Sequence, residues 1–110
     1  MPSIQIEQSE NQALIQLQEP LTSALARELR PRLLEVIAKG ATQMVMDLSL
    51  VDLVDSGGIG LLIATRNSLA KVGGGMRIVG ASSEIQHLFQ VMRLDRHFEV
   101  EGKPGDGSLS

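Results

Sequence analysis

Asp55-Ser56-Gly57-Gly58-Ile59-Gly60 is the segment of this 110-residue chain whose residue types and spacing could carry chemistry. A hydroxyl follows a carboxylate and precedes two residues without side chains, where an apolar strand-like run gives way to a helix-like one. Small flexible residues before a helix leave backbone N–H groups exposed and pointing outward. A phosphoryl group on Ser56 would meet the positive end of a helix dipole and several free donors. In open α/β sheets, the loops after strand C-termini are also where ligands and partners bind. A plainer reading uses the same residues: Ser56 caps the helix and the glycines relieve crowding.

Other candidate chemistries lack their partners. No Lys-Ser or Lys-Thr follows the glycines, and their spacing is not GxGxxG, so neither phosphate-loop pattern is met. Gly73-Gly74-Gly75 ends a helix-like run, which is a turn position. His87 and His97 are the only histidines, and no Cys, HExxH or two-His-one-carboxylate spacing accompanies them. Ser56 lacks the GxSxG of a nucleophile elbow. Asp47, Asp52 and Asp55 could suggest a magnesium site, but one lies in an apolar strand and two in a short loop, where capping is the readier use. No metal, nucleotide or other cofactor is expected, nor an enzyme activity.

Composition narrows the classes further. There are two Phe, no Trp and no Tyr, so aromatic platforms for single-stranded nucleic acid are missing. The net charge is −3 and no basic run exceeds two residues, which argues against a direct nucleic-acid partner. Cysteine is absent, and with it disulfides and thiol chemistry. No signal-peptide pattern is present and no apolar run reaches the ~18 residues of a membrane span. A soluble, cytoplasmic domain without membrane insertion, monomeric or weakly dimeric, is expected.

The elements that must position Ser56 follow from periodicity. Residues 3–17 read as a hairpin, with Ile4 and Ile6, then Ala13, Ile15 and Leu17, alternating with polar neighbours around Ser9-Glu10-Asn11. Thr22 or Ser23 can cap a helix to about Lys39, with Leu25, Leu29, Leu33, Val36 and Ile37 on one stripe and Pro31 off it. Residues 44–48 form a nearly continuous apolar run, as in a central strand covered on both sides. A helix follows to about Lys71, then a strand over 76–79. Ser82 or Ser83 caps a third helix, Ser83 and Gln86 having capping-box spacing, with Ile85, Leu88, Phe89 and Met92 inward. A short strand at 98–100 closes the domain, and residues 101–110 read as a disordered tail. Strand-helix alternation after the hairpin makes this an α/β fold.

Residues 44–48 with Leu53-Val54-Asp55-Ser56-Gly57-Gly58-Ile59-Gly60-Leu61 resemble the signature segment of the STAS anti-sigma-factor antagonists, usually Asp-Ser-Ser/Thr/Ala-Gly-Leu-Gly. Residues 74–80 and 88–98 resemble the family's Gly-Gly strand, its closing helix and its Leu-Asp-x-x-Phe, here Leu94 to Phe98. The likeness spans about residues 3–100. It implies one STAS domain over residues 1–100, a mixed sheet of four to five strands covered by about four helices, with no catalytic activity. It further implies that Ser56 is phosphorylated by a serine kinase of the anti-sigma type and dephosphorylated by a PP2C-like phosphatase. The unphosphorylated form would bind the anti-sigma factor or a similar regulator through Asp55, Ser56, Gly57, Gly58 and Thr22. Two positions depart from the pattern: Gly57 stands where Ser, Thr or Ala is usual, and Glu19-Pro20-Leu21-Thr22 replaces Gly-x-Leu/Ile-Asp. The alternative within the fold is a structural subunit of a lipid-trafficking ABC transporter, whose signature reads more like Asp-Thr-Gly-Gly-Leu-Ala.

Overall fold

The computed structural model describes residues 3–103. Among them, five strands form one mixed sheet: β1 (Ile4–Ser9), β2 (Gln12–Leu17), β3 (Gln43–Asp47), β4 (Gly75–Ala81) and β5 (Glu99–Gly102), side by side in chain order. The β1–β2 hairpin is antiparallel and every later pairing is parallel. Its turn is Glu10-Asn11, with Glu10 in the left-handed region at φ 56°. Helices α1 (Ser23–Ala38), α2 (Ser56–Lys71) and α3 (Ser83–Val91), then a single 3-10 turn at Leu94–Arg96, make the connections. There are thus three α-helices and one short turn of helix where about four helices were expected.

Burial alternates along the strands, so one sheet face is covered and the other is open. Ile4, Ala13, Ile15, Leu17, Met44, Met46, Met76 and Ile78 are buried. Val45 is only half-buried, and its neighbours in register, Leu14 and Arg77, are exposed. The expectation that β3 is covered on both faces is therefore wrong. Val45 is shielded from the side by adjacent strands, and an apolar run by itself does not distinguish that shielding from a second layer.

Two consecutive parallel crossovers, β2-α1-β3 and β3-α2-β4, lay α1 and α2 side by side and bring their N-termini to one end of the sheet. α1 buries Leu25, Ala26, Leu29, Leu33 and Val36, and continues past Pro31, which is exposed. α3 is capped by Ser82, whose hydroxyl accepts from the Ile85 N–H at 3.2 Å, while the Gln86 amide donates to the Ala81 carbonyl at 3.1 Å. Phe89 is fully buried and meets Phe98 edge to face, centroids 6.0 Å apart. Met92, expected inward, is 47% exposed, because α3 ends at Val91 and the stripe ends with it. The closing strand also runs further than expected. Glu101 and Gly102 belong to β5, Gly102 pairs with Ala81, and the Lys103 N–H donates to the Ala81 carbonyl at 3.0 Å. The rest of the expected tail, residues 104–110, lies outside the described residues.

Candidate functional site

The five residues singled out from the sequence meet at the junction of the two helix N-termini. The chain just before α1 and the chain just before α2 pair as a short parallel bridge, Leu21 with Val54. The Leu21 N–H donates to the Leu53 carbonyl at 2.9 Å, and the Asp55 N–H donates to the Leu21 carbonyl at 3.2 Å. This bridge sets Thr22 and Ser23 beside Asp55, Ser56 and Gly57.

Asp55, not Ser56, is the N-cap of α2. Its Oδ1 accepts from the Gly58 N–H at 2.9 Å, and its Oδ2 accepts from the Ser23 N–H at 3.1 Å. One carboxylate thus satisfies orphan donors at the first turns of two helices. Those hydrogen bonds, the Gly58 one foremost and then Ser23, hold the Asp55 carboxyl below its ordinary value of 3.8. Thr22 caps α1 more loosely, with its Oγ1 accepting from the Leu25 N–H at 3.4 Å.

Because Asp55 does the capping, the Ser56 hydroxyl is left for other work. Ser56 is the first residue of α2 and is exposed. Gly57 and Gly58 answer to packing. A Cβ on Gly57 would collide with the Ser23 side chain and stand 2.7 Å from its Cα; one on Gly58 would collide with the Leu21 carbonyl and stand 2.8 Å from Leu21 Cγ. The departure at Gly57 is therefore explained by how closely α1 approaches. In the loop that leads from β3 to the junction, Leu50 and Leu53 are 59% and 54% exposed. Ser23 was not foreseen as part of this cluster. Its bond to Asp55 spans 32 residues, so no local signal announces it.

The other candidates lie elsewhere. Asp47 ends β3, with Oδ1 accepting from the Ser49 N–H at 2.9 Å and Oδ2 from the Gln16 amide at 3.3 Å. Asp52, His87 and His97 are exposed, and the described residues hold no group of three His, Cys, Asp or Glu arranged for a metal ion. No helix among the described residues is long and apolar enough to cross a membrane.

This architecture, a β-hairpin leading into parallel crossovers with a capped serine junction at one end, defines a STAS domain. The STAS family model matches residues 3–106, and the chain belongs to that family. Among solved structures, it is similar to a putative anti-sigma factor antagonist from Thermotoga maritima, with a TM-score of 0.83, 17% identity, and coverage of 89% of this chain and 85% of that one. The Bacillus cell fate determinant SpoIIAA in its phosphorylated form is similar with a TM-score of 0.72 and 20% identity, over 88% of this chain and 89% of that one. A sulfate transporter family protein from Wolinella succinogenes matches with a TM-score of 0.73 and 17% identity, over 83% and 76%. At these identities the likeness is one of fold.

Proposed function

We propose that the protein is a partner-switching regulator, an anti-sigma-factor antagonist that binds its partner when Ser56 is unmodified and lets go when Ser56 is phosphorylated. The observation that carries this reading is the exposed Ser56 hydroxyl, freed from capping by Asp55, with exposed Leu50 and Leu53 in the loop before it. A kinase can reach the hydroxyl without unfolding anything, since no described hydrogen bond of the junction depends on it. The fold of a phosphorylated neighbour, SpoIIAA, supports the same view. The partner is an anti-sigma factor with serine kinase activity or a similar regulator. A PP2C-like phosphatase resets the switch, and the domain itself is a cytoplasmic binding module rather than a catalyst.

The physics of release is local. Phosphorylation adds ~1.5–2 negative charges and three acceptor oxygens. The α2 N-terminus favours that charge by ~0.3–1 kcal/mol and the neighbouring Asp55 carboxylate opposes it, so the fold changes little. A partner laid over Ser56, Leu50 and Leu53 would have to desolvate a dianion without a matching cation, which is very costly. Release then follows from charge and bulk. Gly57, which leans towards the transporter-subunit signature in sequence, is accounted for by its contact with Ser23 and does not weigh for that alternative.

The test uses Ser56→Ala and Ser56→Asp. Both keep the wild-type melting temperature within about 2 °C, because the cap is Asp55 and Ser56 is exposed. Ser56→Ala captures the partner as wild type does, and Ser56→Asp captures it weakly. Equal capture by all three proteins would refute the switch and favour a structural subunit.

A further inference from the structure

A groove runs between α1 and α2, away from the junction. Gly57, Gly60 and Leu61 of α2 and Ser23, Arg27 and Arg30 of α1 line its first part. Beyond Arg30 and Leu61 the helices close to a crevice of about 10 Å³, with Leu34, Ala64 and Ser68 along it. A Cβ on Gly60 would meet nothing within 4 Å, so the floor is open there. Leu34, in the further part, is 46% exposed.

The charge along this groove has one sign. The chain carries a net charge of −3, yet no Asp or Glu lines either part of the groove. Arg27 and Arg30 are exposed, and among the described residues neither is engaged in an ion pair or a side-chain hydrogen bond. Glu28 follows Arg27 directly and so projects about 100° around the helix from it. Glu35 is taken up by Lys39 at 2.9 Å. Two unpaired guanidinium groups beside an apolar step are the complement of an acidic, amphipathic segment.

We propose that the α1–α2 groove docks an acidic amphipathic segment of the protein partner, its carboxylates on Arg27 and Arg30 and an apolar side chain on Leu34. The proposal rests on the reading of the Ser56 junction as a partner-binding site and names what the partner brings to it. It also couples the groove to the switch. Ser56 and Gly60 lie one helical turn apart on the same side of α2, so a phosphoryl group on Ser56 stands at the mouth of the groove. There it repels the partner's carboxylates.

The test titrates the isotope-labelled full chain, followed by amide chemical shifts, with a short acetylated peptide of Glu, Asp and Leu. A control peptide carries Gln and Asn in place of the acids. The expected result is a cluster of shifts along Ser23, Arg27, Arg30, Leu34, Gly57 and Gly60 with the acidic peptide and not with the neutral one. The Arg27→Ala/Arg30→Ala double variant keeps its melting temperature and weakens binding roughly two- to thirtyfold, the range of two exposed ion pairs. Arg27→Lys/Arg30→Lys retains most of the affinity. Shifts scattered over the surface, equal binding of the neutral peptide, or affinity unchanged in the alanine double variant would each overturn the proposal. Ser56→Asp separates the two readings. If it binds the peptide as wild type does while the arginine variant does not, the groove stands and the phosphorylation switch falls. Undiminished binding by the alanine double variant sinks the groove whatever Ser56→Asp does.

Discussion

At the scale of single residues, Asp55 carries the junction. Its carboxylate holds the first turns of α1 and α2 together, through Ser23 and Gly58. Asp55→Ala should lower the melting temperature by several degrees, more than Ser56→Ala does. The pH dependence has a definite sign. The folded-state pKa is depressed, so Asp55 contributes stability above the ordinary carboxyl value of 3.8, and the contribution is lost as pH falls through the folded value. Melting curves of wild type and Asp55→Asn should therefore differ at neutral pH and converge in acid, as the pH falls below 3.8 and through the depressed folded value. A gap that persists unchanged in acid would mean that geometry rather than charge holds the junction. The two nearby glycines give a second contrast. Gly57→Ser forces a side chain against Ser23 and should cost ~1–3 kcal/mol, whereas Gly60→Ala enters open space and should stabilise by ~0.4–1 kcal/mol. Equal effects at the two positions in denaturant unfolding would contradict the packing described for Gly57. Asp55, Ser56 and the glycines were legible in the sequence because they are contiguous. Their division of labour was not, because the residue that turns Asp55 into a double cap and forbids a side chain on Gly57 is Ser23, far away in the chain.

At the scale of elements, local periodicity told more about type than about extent. The α1 stripe and the hairpin follow directly from spacing, and each is found where spacing puts it. The errors lie at boundaries and second faces. Met92 continues the α3 stripe on paper, but Met92 is the C-cap and the side chain leaves the core. Val45 looks like a residue between two layers, yet adjacent strands shield it without a second layer. The strand β5 runs to Gly102 because Ala81 supplies partners that no local pattern reveals. α3 offers a quantitative check. Phe89→Ala should cost ~3–5 kcal/mol, since the ring is fully buried and packs edge to face on Phe98. Met92→Ala, by contrast, should stay within about 0.5 kcal/mol of wild type. Comparable losses for the two in chemical denaturation would show that α3 packs by a different face.

At the scale of the whole molecule, the fold does one thing for function: it delivers two parallel helix N-termini to the same end of a sheet and ties them with one carboxylate. The helices and the covered face of the sheet form the core, so a charge added on the outer surface of the junction need not disturb it. A domain built this way can change what it binds without changing its shape. A domain of this length has only a small stability reserve, which makes a switch by surface charge a safer device than one by unfolding. Family membership rests on residues 3–106, while the role of Ser56 rests on the junction, and only the second needs chemistry to decide it. The most direct measurement is the intact mass of the protein purified from its native host, with the modified peptide then sequenced by fragmentation. One phosphoryl group, on Ser56 and removable by a PP2C-type phosphatase, is the predicted result. A chain that stays unmodified in every growth condition in which its partner is released, or one that carries its phosphoryl group elsewhere, would contradict it.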